Sequence, residues 1–153
     1  MKKSLIFLMA LSLTLLSNMP LKAQSLEELV APGKKVYVEV VDVKETLNFE
    51  DEVNDCNQLT RDEMNWVVVD SVGEADFVLQ LSMWRRFKIG FPRCYMKPAI
   101  LLPNGEKVWE GDEVKADANS FNGYRCTFGA YWKVVRHFKN DPVFAPAVKD
   151  DKK

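Results

Sequence analysis

The sequence predicts an α+β domain: a single four- or five-stranded, largely antiparallel sheet covered on one face by two helices, in the order β-α-β-β-β-β-α. Three observations carry this. Residues 77–84 alternate, with Phe77, Leu79, Leu81 and Met83 on one side and Val78, Gln80, Ser82 and Trp84 on the other, which is the period of a half-buried strand. Residues 49–64 and 124–138 instead repeat their apolar side chains every three or four positions, as one face of a helix does. Asn104-Gly105 stands between two apolar runs and signals a hairpin, because both residues accept positive φ. Elements that are each apolar on one face bury those faces most economically as a sheet with helices on one side.

In chain order, Pro32-Gly33 closes a lead-in over 24–33, and the domain is expected over 34–140. Val36–Val43 is β-branched and alternates, with Val36, Val38 and Val40 sharing a face. The first helix places Phe49, Val53, Cys56, Leu59 or Thr60, and Met64 on its apolar stripe. Asn48 is the expected N-cap, and Glu50, Asp51 and Glu52 fill the first turn, where carboxylates suit the helix dipole. Trp66–Asp70 is a short apolar strand, and 71–74 turn into the strand that begins at Phe77 and that Arg85-Arg86-Phe87 extends toward solvent. Residues 88–95 read as a loop. Met96–Leu102 is a strand whose Pro98 lacks a ladder donor, so an edge or a bulge is expected there. Lys107–Val114 returns, and 115–122 connect to the last helix, whose Tyr124, Phe128, Tyr131, Trp132, Val135 and Phe138 should pack on the sheet. Pro142 ends that helix, and 141–153 read as a flexible, solvated tail.

The amino terminus carries a second kind of signal. Lys2 and Lys3 precede an apolar run from Leu5 to Leu16, broken by Ser17, Asn18 and Pro20 before Ala23. This is the pattern of a secretory signal peptide over residues 1–23, with cleavage expected after Ala23 or Gln24. The run is shorter than the roughly 20 residues of a spanning helix, which weighs against an uncleaved anchor. No Cys follows it to carry a lipid. Removing 1–23 takes three lysines and no acid, leaving 130 residues with 18 basic and 22 acidic side chains, a net charge of −4. That length suits one core, and that charge argues against nucleic acid or an anionic membrane as partner. The expected location is periplasmic or secreted, with no stable membrane insertion after cleavage.

An oxidising compartment lets two of the three cysteines pair. Cys56 falls on the apolar stripe of a helix and reads as a small buried hydrophobe. Cys94 and Cys126 read as lying in loops or at element ends, where sulfurs can meet, so a Cys94–Cys126 disulfide is expected, against the alternatives of three reduced thiols or an intermolecular bridge.

Particular wording accompanies the element order. A strand ending in Asp70 precedes Glu74-Ala-Asp-Phe-Val-Leu79, and Pro103-Asn-Gly-Glu-Lys-Val-Trp-Glu-Gly111 forms the hairpin. Over about residues 34–140 the chain resembles the small periplasmic α/β domain of TolB amino-terminal regions, of the curli secretion lipoprotein and of the penicillin-binding-protein activator lipoproteins. The resemblance implies a non-catalytic role in binding or assembly in the cell envelope. The matching positions are structural, so it transfers no functional residue. The missing lipid-bearing Cys is a departure from many members.

Specific chemistry is hard to find in the residues. His137 is the single histidine and falls on the exposed face of the last helix, about three turns from Cys126, so a Cys–His pair is not expected. No zinc spacing, calcium loop or glycine-rich phosphate loop is present, and no metal, cofactor or catalytic residue is assigned. What stands out is arginine beside aromatics: Trp84, Arg85 and Arg86; Phe91 and Arg93; Tyr124 and Arg125. These types are enriched where proteins meet partners, and they suit an envelope protein or a cell-wall polymer by stacking plus charge. The competing reading makes the aromatics core and lets the arginines reach out of it. The functional expectation is a non-enzymatic envelope binding module; the alternative is a small secreted hydrolase or thiol enzyme, which would need titratable groups converging in a cleft. A dimer through the Trp109 strand edge is a third possibility.

Overall fold

The computed structural model describes residues 24–150 except Ile89, Gly123 and Tyr124. The expected leader over 1–23 and the candidate Tyr124 lie outside the described residues. Within them the elements are α1 (Leu26–Leu29), β1 (Lys35–Asp42), α2 (Phe49–Glu63), β2 (Val67–Val68), β3 (Phe77–Lys88), β4 (Phe91–Leu101), β5 (Lys107–Glu110), β6 (Val114–Asp117) and α3 (Cys126–Asn140).

The strands form one sheet in the order β2-β1-β3-β4-β5, with β6 also paired to β4. The α+β class and the helices on one face are as the sequence predicts. The sheet, however, is six-stranded and mixed: β1 is parallel to both β2 and β3, while β3, β4, β5 and β6 pair antiparallel. The parallel pairs follow from α2, which carries the chain back over the sheet between β1 and β2 as a crossover must. Alternation sorts the side chains. Val36, Val38 and Val40 of β1, Phe77, Leu79, Leu81 and Met83 of β3, and Cys94, Met96 and Ile100 of β4 all face the helices and are buried. Tyr131, Val134 and Phe138 of α3 and Cys56 and Leu59 of α2 meet them from above. On the opposite face, among the described residues, Val78, Ala99 and Leu101 form a small buried cluster with Tyr37 and Val72 packed against it.

Four local expectations change. The loop expected at 88–95 is a tight turn, because β4 starts at Phe91 and pairs with β3 in an unbroken register from Lys88↔Phe91 to Val78↔Leu101. Gly90 supplies the φ of +104° that the turn requires. Two prolines survive inside β4 for a common reason. The Pro92 carbonyl accepts from Ala118 N at 3.0 Å and the Pro98 carbonyl from Gly111 N at 2.9 Å. A residue's N–H points to the same side as its C=O in a strand. The missing donors therefore face the end of β6 and the gap between β5 and β6, where no ladder acceptor is needed. That gap, at 111–113, also splits the single return strand expected over 107–114.

The stripe of α2 is rotated from the expected one. Phe49 is 51% exposed, whereas Glu52 and Asp55 are buried. Asn48 occupies the N-cap position but makes no capping hydrogen bond; its side-chain amide donates to Asp51 instead. Finally, 141–148 are not a solvated tail. Phe144 and Ala147 are buried, Phe144 stacks on Phe138 with centroids 4.5 Å apart, and Val148 bridges Met64. One aromatic and two small apolar residues suffice to hold this segment on the core, which the polar residues around them obscure. Among the described residues no helix is long and apolar enough to cross a membrane.

Candidate functional site: a hairpin arm

β3 runs five residues past its last pairing with β1, at Met83, and β4 returns beside it, so the hairpin projects as an arm. Its charge is segregated: residues 77–105 hold five basic side chains and no acid, while the rest of 24–153 holds 13 basic and 22 acidic. The net charge of the chain hides this.

Alternation divides the arm's candidates between its two faces. Trp84, Arg86, Tyr95 and Arg93 lie on the face the helices leave open. Trp84 and Tyr95 are directly opposite and stack in parallel, centroids 3.8 Å apart, and the Lys44 ammonium sits 3.4 Å from the Trp84 ring centre. The Trp84 indole N–H donates to Glu113 at 3.4 Å. Lys44 is held there by the turn after β1, whose backbone N–H groups at Lys44, Thr46 and Leu47 donate to the Asp42 carboxylate. Burial pushes the Asp42 pKa up, but these hydrogen bonds outweigh it and the net shift is downward. Arg93 forks onto Asp117 of β6, Nε to Oδ1 at 2.6 Å and Nη2 to Oδ2 at 2.8 Å. Arg86 faces Arg93 across the strands and is exposed. Phe91, near the tip, is 57% exposed.

The other candidates lie on the helix side of the sheet, Arg85 partly buried and Arg125 exposed. Arg85 points to the helix side, where its guanidinium pairs with the buried Glu52 and donates to Thr127 Oγ1 at 3.3 Å. Its Nε is buried without a hydrogen-bond partner among the described residues. Arg125 pairs with Asp55 at 3.1 Å and lies over the Phe128 ring. Burial raises the Asp55 pKa even so, against the pull of Arg125. Arg93 and Arg125 therefore stand on opposite sides of the sheet, not together.

The disulfide expectation is also corrected: Cys56, Cys94 and Cys126 are all free and buried. Cys94 comes from the sheet and Cys126 from the start of the helix above it, and a bridge demands Cα atoms within about 7 Å. The two thiols instead share a hydrogen bond, flanked by Arg85 and Thr127. That bond and the Arg85 charge bring the first proton of the pair off early, with Cys126 drawn down to about 7, while Cys94 is held far above the usual thiol value. Burial dominates reactivity here. Protein prepared without thiol reagents is expected to leave all three thiols slow toward a disulfide dye when folded, and to titrate all three in denaturant. A single thiol under denaturing, non-reducing conditions would show that a bridge forms.

Sequence reasoning missed Lys44 and Tyr95; pairing a strand by its turn would have found Tyr95 opposite Trp84. It also placed His137 only on an open helix face. His137 in fact lines a cleft of about 550 Å³ between the β5–β6 gap and the end of α3, together with Trp109, Asp112, Arg136, Asn140 and Asp141. Asp141 accepts from Val143 N at 2.9 Å, and Glu110 at the rim is held at a pKa of about 2 by hydrogen bonds from Lys107 and Lys97. No Ser, Thr or Cys is among the residues lining this cleft. Among the described residues no group of three or more His, Cys, Asp or Glu is placed to hold a metal ion.

Comparison with known proteins assigns no role. No family model and no curated protein matches the chain. Solved structures similar to it include an uncharacterised lipoprotein B from Nitrosomonas europaea (12% identity, 78% of this chain and 81% of that one, TM-score 0.42). A minor lipoprotein from Acinetobacter baumannii (14%, 80% and 99%, 0.41) and lipoprotein GNA1162 from Neisseria meningitidis (14%, 72% and 100%, 0.41) are similar to the same degree. At these scores no argument about function passes from them to this chain.

Proposed function

We propose that the chain is an exported, non-enzymatic protein of the cell envelope, periplasmic or secreted once residues 1–23 are removed, and that it acts by docking a protein or a carboxylate-bearing polymer on the open face of the hairpin arm. The observation that carries the reading is the Trp84–Tyr95 stack with Lys44 and Arg86 around it, half exposed on a face no helix covers. Flat rings supply stacking area at little entropic cost, and exposed cations supply charge to match. The leader pattern supports export.

The test is crosslinking with mass spectrometry in the native host, comparing the natural chain with Trp84→Ala/Tyr95→Ala. Both side chains are half exposed, so the fold should persist, while recovery of the principal crosslinked partner should fall at least about tenfold for a lost aromatic hot spot. Equal recovery from both chains would reject this face. The hydrolase reading draws on His137 and Asp112 in the α3 cleft, and a His137→Ala variant with reduced hydrolysis of any envelope polymer would favour it instead.

A further inference from the structure

We propose that the apex of the arm is a lipid-contacting tip, which seats reversibly on a phospholipid surface. Phe87 is 74% exposed and Phe91 57%, on the last pairs before the turn. A third ring joins them. Phe121 is 91% exposed in the short turn Ser120–Asn122, and that turn is tied to the arm because Ala118 N donates to the Pro92 carbonyl, one residue from Phe91. Soluble chains rarely leave three large rings this open on neighbouring loops without a use for them.

The order of side chains along the arm selects lipid over a protein pocket. From the tip backward the pairs read Lys88↔Phe91, Phe87↔Pro92, Arg86↔Arg93, the helix-side Arg85↔Cys94, and Trp84↔Tyr95. At about 3.3 Å per residue, the rings lie on the first two pairs, exposed Arg86 and the Asp117-paired Arg93 face each other on the next, and the Trp–Tyr pair lies roughly 13 Å behind the Lys88↔Phe91 pair. A membrane interface presents the same sequence of layers: acyl chains take apolar rings to a depth of about 5–10 Å, phosphates take arginine, and Trp and Tyr sit at headgroup level. A convex tip also suits a fluid surface better than the flat, complementary patch that protein partners share. The approach is tip-first, because Glu50 and Asp51 in the first turn of α2 lie at the same end of the sheet and an anionic surface repels them.

This inference rests on the arm being a contact surface, but it uses the apex rather than the Trp84–Tyr95 face, so the two can fail separately. The measurement is co-sedimentation of residues 24–153, which contain every element of the described fold, with vesicles of phosphatidylcholine and of phosphatidylcholine with phosphatidylglycerol. Binding is expected, stronger on the anionic vesicles and weakened by salt. Phe87→Ser/Phe91→Ser/Phe121→Ser should lower the partition coefficient at least about tenfold with little change in Tm, since the removed rings are exposed. Val67→Ser, which alters an exposed apolar residue beside the start of β1 and away from the apex, should bind vesicles within about threefold of the natural chain. No binding to either vesicle, or equal binding by the triple serine variant, overturns the inference whatever the crosslinking shows.

Discussion

Replacing Glu52 with alanine is expected to destabilise the protein by about 3–5 kcal/mol, because it strands the Arg85 guanidinium among buried groups. Glu52 is 1% exposed, and its carboxylate takes both the Arg85 ion pair and the Thr127 hydroxyl. Arg85 already leaves Nε without a partner, so it has no spare acceptor to turn to. Thermal melting should show the loss as a fall in Tm of more than about 10 °C for a domain of this size. The double variant Glu52→Ala/Arg85→Met should recover most of it, since a buried ion pair can be exchanged for apolar packing at little net cost. A Glu52→Ala protein melting within about 2 °C of the natural one would mean that Arg85 swings out to water, and the network would not be holding β3 to the two helices.

Phe144→Ala should cost a similar amount, about 3–5 kcal/mol. The ring is fully buried, stacked on Phe138 and tilted against Trp109 with centroids 4.7 Å apart. Nothing nearby is small and mobile enough to fill its volume, and Ala147 beside it on the short turn Ala145–Ala147 adds only a methyl. Urea unfolding followed by tryptophan fluorescence would read both the loss and the freeing of Trp109. A loss below about 1 kcal/mol would mean the segment after α3 lies on the core without contributing to it.

That segment shows where sequence reading stops. Elements with strict periods were legible: β3 from its alternation, β1 from its valines, α3 from its spaced aromatics, and the Asn104-Gly105 hairpin, where Gly105 takes a φ of +89°. Each is specified locally, by one face needing burial. What was not legible depends on partners distant in sequence. Glu52 reads as a first-turn acid and is one, but its burial is decided by Arg85 and Thr127, 33 and 75 residues away. Phe144 looks isolated among prolines and acids until Phe138 and Trp109 are brought beside it. Pro98 argued for an edge or a bulge; it stands inside the sheet because the rule concerns the donor a neighbour needs, and here the neighbouring strand is interrupted.

The candidate site divided the same way. Arginine next to aromatic led to two different places: Trp84, Arg86 and Arg93 lie on the open face of the arm, whereas Arg85 and Arg125 lie on the helix side, because alternation sends adjacent residues to opposite faces and composition alone does not say which face is which. The cysteines were read as lying in loops or at element ends; Cys126 does open a helix, but Cys94 is mid-strand.

Asn65 gives the molecule a polarity. Its carbonyl accepts from Gly33 N and its own N–H donates to Ala147, while the neighbouring Trp66 indole donates to Val30. Entry and exit of the polypeptide thus meet at one knot, beside the first residues of β1 and β3, and the tip of the arm lies at the far pole. The two ends of the described chain are fastened to each other at the pole opposite the arm, and a tag fused there would start away from the tip.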